Sequence, residues 1–288
     1  MNSKTILVTG TSTGFGRDTA LTLVRAGHRV LASMRNVQAK NEEHAAALRS
    51  HGIDVVELDV TEDRSVNGTV QSVLDKAGRI DALINNAGLA AAGVTESFTV
   101  EQVQALFDVN VFGVLRVTRA VLPAMRRQRD GLIVNIGSIL GRVTFPFFGI
   151  YGASKFALEA LTDSMRYELS ELGIEVTLVQ PSAYPTSMYV NMQQPAEPQR
   201  VREYGKVGEI PGAMFQHFMS IFGAPNAPNP HDVAEAIRQL IDLPKGGRPA
   251  RTIVGAPFGA DVLNKRIAPV QGEVVRSLGL DHLDRAVD

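Results

Sequence analysis

Apolar residues in this chain gather in short unbroken runs separated by longer amphipathic stretches. The first run, residues 4–10, reads Lys-Thr-Ile-Leu-Val-Thr-Gly and ends on glycine. Others fall at 29–33, 55–58, 82–85, 132–136, 175–180 and 251–254. Each is short and apolar on both faces, as the central strands of a parallel sheet must be. Between them the spacing turns helical, as in Ala20, Leu21, Leu23 and Val24, or Phe156, Leu158, Leu161, Met165 and Leu169 within 151–171. Residues 103–122 predict one further apolar helix. The length of 288 residues would allow two domains. The unbroken strand–helix alternation instead predicts one α/β domain over 1–288, with right-handed crossovers and a doubly wound parallel sheet. One segment resists this reading. Residues 187–230 show no clear period at first and carry Pro195, Pro198, Pro211, Pro225, Pro228 and Pro230. They are expected to form a long loop, a substrate lid or insert.

The first strand runs into Thr9-Gly10-Thr11-Ser12-Thr13-Gly14-Phe15-Gly16 and then into a helix. Strand, glycine-rich turn and helix begin a dinucleotide-binding βαβ unit, so the fold class is Rossmann-type. One glycine makes the tight turn, one lets backbone approach a pyrophosphate, and one lets helix and strand pack closely. The helix N-terminus offers free N–H groups to phosphates. The spacing is Gly-x3-Gly-x-Gly, not the commoner G-x-G-x-x-G. Asn85, Ser138 and Pro181 fall at or just past strand ends, on the same edge as Gly10.

Chemistry enters with Tyr151 and Lys155. Positions i and i+4 share a helix face, so phenol and ammonium point into the same space. Of the five tyrosines, only Tyr151 is followed by lysine at that spacing. A cation within about 4–6 Å favours the phenolate and is expected to lower the Tyr151 pKa from about 10, making it an acid/base group. Composition works by exclusion. Net charge is −1, so nothing draws the chain toward nucleic acid. There is no cysteine, hence no disulfide or thiolate chemistry, and the six histidines lack ligand spacing, so no metal is expected. Arg126-Arg127-Gln128-Arg129 reads as cations at a helix C-terminus. No leader precedes the first strand and no run approaches the roughly 18 apolar residues of a membrane span, so a cytoplasmic location is expected.

Thr9-Gly10-x3-Gly14-x-Gly16, Asn85-Asn86-Ala87-Gly88, Asn110, Ser138 and Tyr151-x3-Lys155 together resemble the short-chain dehydrogenase/reductases, in their single-domain, non-extended branch. The resemblance covers roughly residues 4 to 190, with order and spacing agreeing throughout. Asp108-Val109-Asn110-Val111 and Ala153-Ser154-Lys155-Phe156-Ala157-Leu158-Glu159 look like hydroxysteroid and retinol dehydrogenase members. The resemblance implies an NADP(H)- or NAD(H)-dependent oxidoreductase acting on a carbonyl/alcohol pair. It implies that Tyr151 is the general acid/base, that Ser138 bonds the substrate oxygen, that Lys155 depresses the Tyr pKa and bonds the nicotinamide ribose, and that Asn110 holds a proton-relaying water. Taken alone, Ser138 reads as a turn or cap residue, and an Asn inside an apolar helix wants a specific partner. Cofactor contacts are expected from Gly10, Ser12, Thr13, Gly14, Phe15, Gly16, Asn86, Ala87 and Gly88. Pro181-Ser182-Ala183-Tyr184-Pro185-Thr186 matches the family's Pro-Gly-x3-Thr beside the nicotinamide, with Ser182 in place of glycine; Pro181 and Thr186 join the contacts.

At the end of the second strand an acid would bond the ribose 2′-hydroxyl of NAD, whereas an arginine suits the 2′-phosphate of NADP. Here Ala32-Ser33-Met34-Arg35-Asn36 has no acid before Glu42, so Arg35 predicts NADP over NAD. Asp59 and Val60 lie where the family holds the adenine; Asp59 reads equally as the next helix's N-cap. Met188, Tyr189, Met192, Met214, Phe215, Phe218, Met219, Ile221 and Phe222, with Phe145, Phe147 and Phe148, suit a lipophilic substrate, and equally core packing or a subunit contact. The helices near 103–122 and 156–169 look apolar on more than one face, which with the resemblance implies a homodimer or homotetramer. Two other readings remain: a non-catalytic nucleotide sensor, which would be expected to lose some of the four polar residues, and a cofactor-retaining epimerase or dehydratase of the extended branch.

Overall fold

A computed structural model describes residues 3–284. Seven strands form one parallel sheet in the order β3-β2-β1-β4-β5-β6-β7. They are β1 (Thr5–Thr9), β2 (Arg29–Met34), β3 (Asp54–Glu57), β4 (Ala82–Asn85), β5 (Gly131–Ile136), β6 (Ile174–Pro181) and β7 (Arg251–Val254). Every residue of β1, β4 and β5 is buried. The helices are α1 (Gly14–Arg25), α2 (Glu42–Arg49), α3 (Asp63–Ala77), α4 (Val100–Phe107), α5 (Val114–Gln128), α6 (Gly149–Ser170), α7 (Ser187–Val190), α8 (Pro198–Glu203), α9 (Lys206–Phe222), α10 (His231–Asp242) and α11 (Ala260–Ser277).

Side chains alternate across a strand, so one strand feeds two cores. Ile6 and Val8 of β1 pack with Leu23, Leu48, Ile237 and Ile241, beneath α1, α2 and α10. Leu7 between them packs with Val70, Val121 and Met165, beneath α3, α5 and α6. The order reverses between β1 and β4, and the crevice at that reversal is where such sheets bind ligands.

Two expectations are corrected. The helix over 103–122 is present but not uniformly α: a wide π-type turn, Asp108–Gly113, joins α4 to α5 without the backbone leaving helical dihedrals. The extra residue in that turn rotates Asn110 inward, where it is 1% exposed. The long loop over 187–230 is largely helical, in α7, α8 and α9. Pro198 sits in the first turn of α8, where its missing N–H leaves no bond unmade, and α9 carries Pro211 inside it. The cationic run does end a helix: Arg126 and Arg127 lie in the last turn of α5, and Arg129 takes left-handed φ 53° at its C-cap.

Candidate active site

The loops after β1, β4, β5 and β6, with α6 and α9, line one apolar cleft at the carboxyl edge of the sheet. Its walls bring together Phe15, Asn86, Gly88, Ser138, Tyr151, Lys155, Pro181 and Thr186 from five separate stretches of the chain. The remaining wall is apolar, including Phe145, Phe148, Met188, Tyr189, Met192 and Phe218. Tyr189 packs on Phe218 and Phe222 at centroid distances of 5.7 and 4.9 Å. Tyr184, next in the motif after Ala183, stands edge-on to Phe15 at 5.7 Å.

The glycine loop folds back against the end of β4. Gly10 has φ +71°, and a Cβ there would lie 2.7 Å from the Ala87 Cα. A Cβ on Gly16 would lie 2.3 Å from Asn86 Nδ2 and 2.4 Å from the Gly10 carbonyl oxygen. Asn86 fixes this contact by donating to the carbonyls of Thr9 (2.8 Å) and Gly10 (3.0 Å). Thr13 occupies the N-cap position of α1 with no side-chain cap, so the first-turn N–H groups are not taken by it. Its hydroxyl instead accepts from Ser187 at 2.8 Å, tying the loop to the start of α7. Gly14 and Thr186 face each other, a Cβ on the glycine standing 3.8 Å from the Thr186 Cβ. Ser12 is half-buried in the same loop. Ser182 is absent from the left-handed region. The close approach is made instead by Gly255, where a Cβ would lie 3.0 Å from that of Ser182.

Ser138 caps the short turn Ile139–Gly141, its hydroxyl accepting from the Leu140 N–H at 3.1 Å. Tyr151 and Lys155 occupy the first two turns of α6, and both are buried. The Lys155 ammonium donates to the Ile136 carbonyl at 2.9 Å and stands 5.7 Å from the Tyr151 ring centre. Burial lowers its pKa from 10.5 to about 8. Burial also raises the Tyr151 phenol to about 12, and the Ser138 hydroxyl, by offering the phenolate a hydrogen bond, pulls the other way. The expectation that the lysine holds this phenol low is therefore corrected. Desolvation of the phenolate outweighs every neighbour.

Asn110 does not line the cleft. Its amide closes a ring with the Leu89 backbone, accepting from the N–H at 2.8 Å and donating to the carbonyl at 2.9 Å, and it also donates to Ser154 Oγ at 3.0 Å. It thus braces the strand-end loop at Gly88 against α6. Arg35 and Asp59, just past the ends of β2 and β3, pair at 3.6 Å (Nη1 to Oδ2), with the arginine side chain 56% exposed. Burial opposes the Asp59 carboxylate, but bonds from the Thr61 N–H (2.9 Å) and hydroxyl (2.7 Å), with Arg35, outweigh it and hold the pKa below the usual range. Glu62, not Asp59, is the α3 N-cap, so the cap reading of Asp59 is set aside. The neighbouring Val60 carbonyl accepts from Arg116 at 3.3 Å.

The short chain dehydrogenase family model matches residues 4–197. A 3-ketodihydrosphingosine reductase of Bacteroides thetaiotaomicron is 39% identical over 191 residues, 66% of this chain and 68% of that protein. Human retinol dehydrogenase 8 is 33% identical over 250 residues, 83% of this chain and 78% of that protein. A solved short-chain dehydrogenase from Streptomyces avermitilis superposes with a TM-score of 0.75 at 30% identity, covering 98% of both chains. The chain belongs to the short-chain dehydrogenase/reductase family and is an oxidoreductase of that family.

Proposed function

We propose that this protein transfers hydride between NADP(H) and the carbonyl/alcohol group of a lipophilic substrate. The observation that carries the reading is the convergence of Ser138, Tyr151 and Lys155 on one apolar cleft beside the glycine loop. That loop fits a dinucleotide: Gly10 and Gly16 leave no room for side chains, and the α1 N-terminus has no side-chain cap. The holding residues would be Gly10, Ser12, Thr13, Gly14, Phe15 and Gly16 in the loop, with Asn86, Ala87, Gly88, Pro181 and Thr186. Asp59 and Val60 lie toward the adenine, and Arg35 takes the 2′-phosphate of NADP. When bound, the nicotinamide supplies or accepts the hydride.

The chain's own residues manage the proton. In reduction, Tyr151 gives its proton to the substrate oxygen. Its high pKa keeps that proton in place until charge develops on the oxygen. Ser138 holds the same oxygen. The Lys155 ammonium, 5.7 Å from the Tyr151 ring centre, would bond the nicotinamide ribose, and Asn110 would hold the water that carries the proton onward. Phe145, Phe148, Met188, Met192 and Phe218 exclude water and receive the apolar part of the substrate. Residues 187–230 act as its lid within one dinucleotide-binding and catalytic domain. Val100, Phe112 and Phe156, exposed on α4, the π turn and α6, support a homodimer or homotetramer.

The test is a panel of decanal, 2-decanone and 9,10-phenanthrenequinone followed by NADPH absorbance, with Tyr151→Phe beside wild type. Removing a positioned acid typically lowers the rate by about 10²–10⁴-fold. NADPH affinity, read from the cofactor's own fluorescence in a chain without tryptophan, is expected to stay nearly unchanged. A Tyr151→Phe protein turning over at near wild-type rate removes Tyr151 from the acid role, and a wild type that binds NADPH but reduces nothing on the panel returns the chain to the nucleotide-sensor reading.

A further inference from the structure

Glu159, one turn beyond Lys155 on α6, is 3% exposed and takes no part in the reaction proposed above. A buried carboxylate is retained only with partners, and two of the partners here, Arg142 and Gln180, adjoin segments that line the cleft. Arg142, the residue that ends the Ser138 turn, places Nη2 2.9 Å from Glu159 Oε2. Arg251 of β7 brings Nε to the same oxygen at 2.9 Å and also pairs with Asp163. Gln180, the residue before Pro181, donates to Oε1 and in turn accepts from Asn264 of α11 at 2.7 Å.

The turn and the helix also touch directly. A Cβ on Gly141 would lie 2.9 Å from Glu159 Cγ and 3.1 Å from the Lys155 carbonyl oxygen. The turn is closed on itself by the Gly141 N–H to the Ser138 carbonyl (2.9 Å) and the Arg142 N–H to the Ile139 carbonyl (2.9 Å). Whatever fixes Arg142 therefore helps fix Ser138, four residues earlier in the same turn. Arg142 Nε has no partner of its own, so the guanidinium is held by Glu159, with Asp163 at 3.9 Å.

We propose that Glu159, acting through Arg142, is a positioning residue that clamps the Ser138 turn to α6 and so keeps the Ser138 hydroxyl in register with the Tyr151 phenol. The clamp rests on the reaction proposed above for its consequence, but not for its existence. The groups facing Glu159 are Arg142, Arg251 and Asp163; those facing Tyr151 are Ser138, Lys155 and Tyr189. Of these, Ser138 is the one whose hydrogen bond lowers the Tyr151 pKa. Loosening the turn removes that bond, and the basic inflection of the pH–rate profile moves up.

The experiment compares full-length wild type with Arg142→Gln, Arg142→Lys and Glu159→Gln. Three quantities are read: kcat and KM for NADPH with 9,10-phenanthrenequinone, the pH–rate profile, and amide exchange of the 138–142 segment. A misplacement of about 1 Å is worth up to ~10²-fold in rate, so Arg142→Gln is expected to lower kcat by about 10-fold or more. KM for NADPH should stay nearly constant, the inflection should rise, and exchange should accelerate at 138–142 but not in α1. Arg142→Lys should recover part of kcat. Glu159→Gln should match Arg142→Gln; if it fails to fold, the two Arg142 variants decide. Unchanged kcat and inflection with only a lower melting temperature would make the cluster a plain structural ion pair and overturn the proposal. If wild type reduces nothing, the reaction reading falls. The exchange data then judge the clamp alone: faster exchange confined to 138–142 in Arg142→Gln upholds it, and unchanged exchange overturns it.

Discussion

Lys155→Met is expected to make the cofactor-free protein more stable while disabling it. In the folded chain the ammonium is buried with one carbonyl partner, Ile136, and its pKa falls from 10.5 to about 8. At about 1.4 kcal/mol per decade of proton affinity, the penalty for holding it charged is on the order of 3 kcal/mol. The folded pKa lies below the unfolded one, so the unfolded chain binds the extra proton between pH 8 and 10.5. Wild-type stability therefore carries the full penalty below pH 8 and recovers it as pH rises to 10.5. Methionine removes the charge but leaves the Ile136 carbonyl without its donor, at a cost of roughly 1–2 kcal/mol. The net gain at pH 7 is about 1–2 kcal/mol, a few degrees in unfolding midpoint at roughly 2–4 °C per kcal/mol. The assay is thermal unfolding of both proteins without cofactor at pH 7.0 and 9.5. The upper value stays below the window from 10 to about 12 in which the raised Tyr151 pKa makes stability fall with rising pH. The Met advantage should shrink by pH 9.5. A Lys155→Met protein less stable than wild type at pH 7, or equally favoured at both values, refutes the reasoning.

Arg35→Asp should weaken NADPH binding and improve NADH binding in fluorescence titrations, because it removes the phosphate donor and sets a second acid beside Asp59; a wild type that prefers NADH contradicts the assignment of Arg35. Gly16→Ala should abolish dinucleotide binding and lower the melting temperature, since its methyl would lie 2.3 Å from Asn86 Nδ2; normal NADPH affinity in that variant would show that the loop relaxes freely. Light scattering at micromolar concentration should return a dimer or tetramer, and a monomer would refute the reading of the exposed Phe112 and Phe156.

The central strands β1, β4 and β5 were legible because both their faces are buried, so each writes a largely apolar run; the outer strands β3 and β7 are only partly buried. Tyr151 and Lys155 were legible because a helix turns their spacing into adjacency. The π turn at Asp108–Gly113 left no such trace, since its residues look like any amphipathic helix and only its extra residue re-aims Asn110. The helices after Ser187 were hidden by proline: Pro198 begins a helix rather than breaking one, a distinction that needs the backbone. The direction of the Tyr151 pKa also needed the fold, because spacing gives the nearby cation but not the depth of burial. The Arg142–Glu159–Arg251 cluster joins residues far apart in the chain. As isolated charges in sequence they read as surface, and only tertiary structure brings them inside.

The strand order has a consequence for synthesis. Strands β3, β2, β1 and β4 are neighbours in the sheet and are all complete once Asn85 has emerged. The first third of the chain can therefore pair its strands before the rest exists. Its outer boundary is then β4, whose backbone groups find their partners only when Leu132–Asn135 arrive. Until that moment the nascent chain exposes a bare, apolar, parallel edge, the kind of template on which unfinished chains associate. At translation speeds of about 5–20 residues per second, the interval lasts some seconds. The shortness of β4, four residues, limits what a stray strand can gain there.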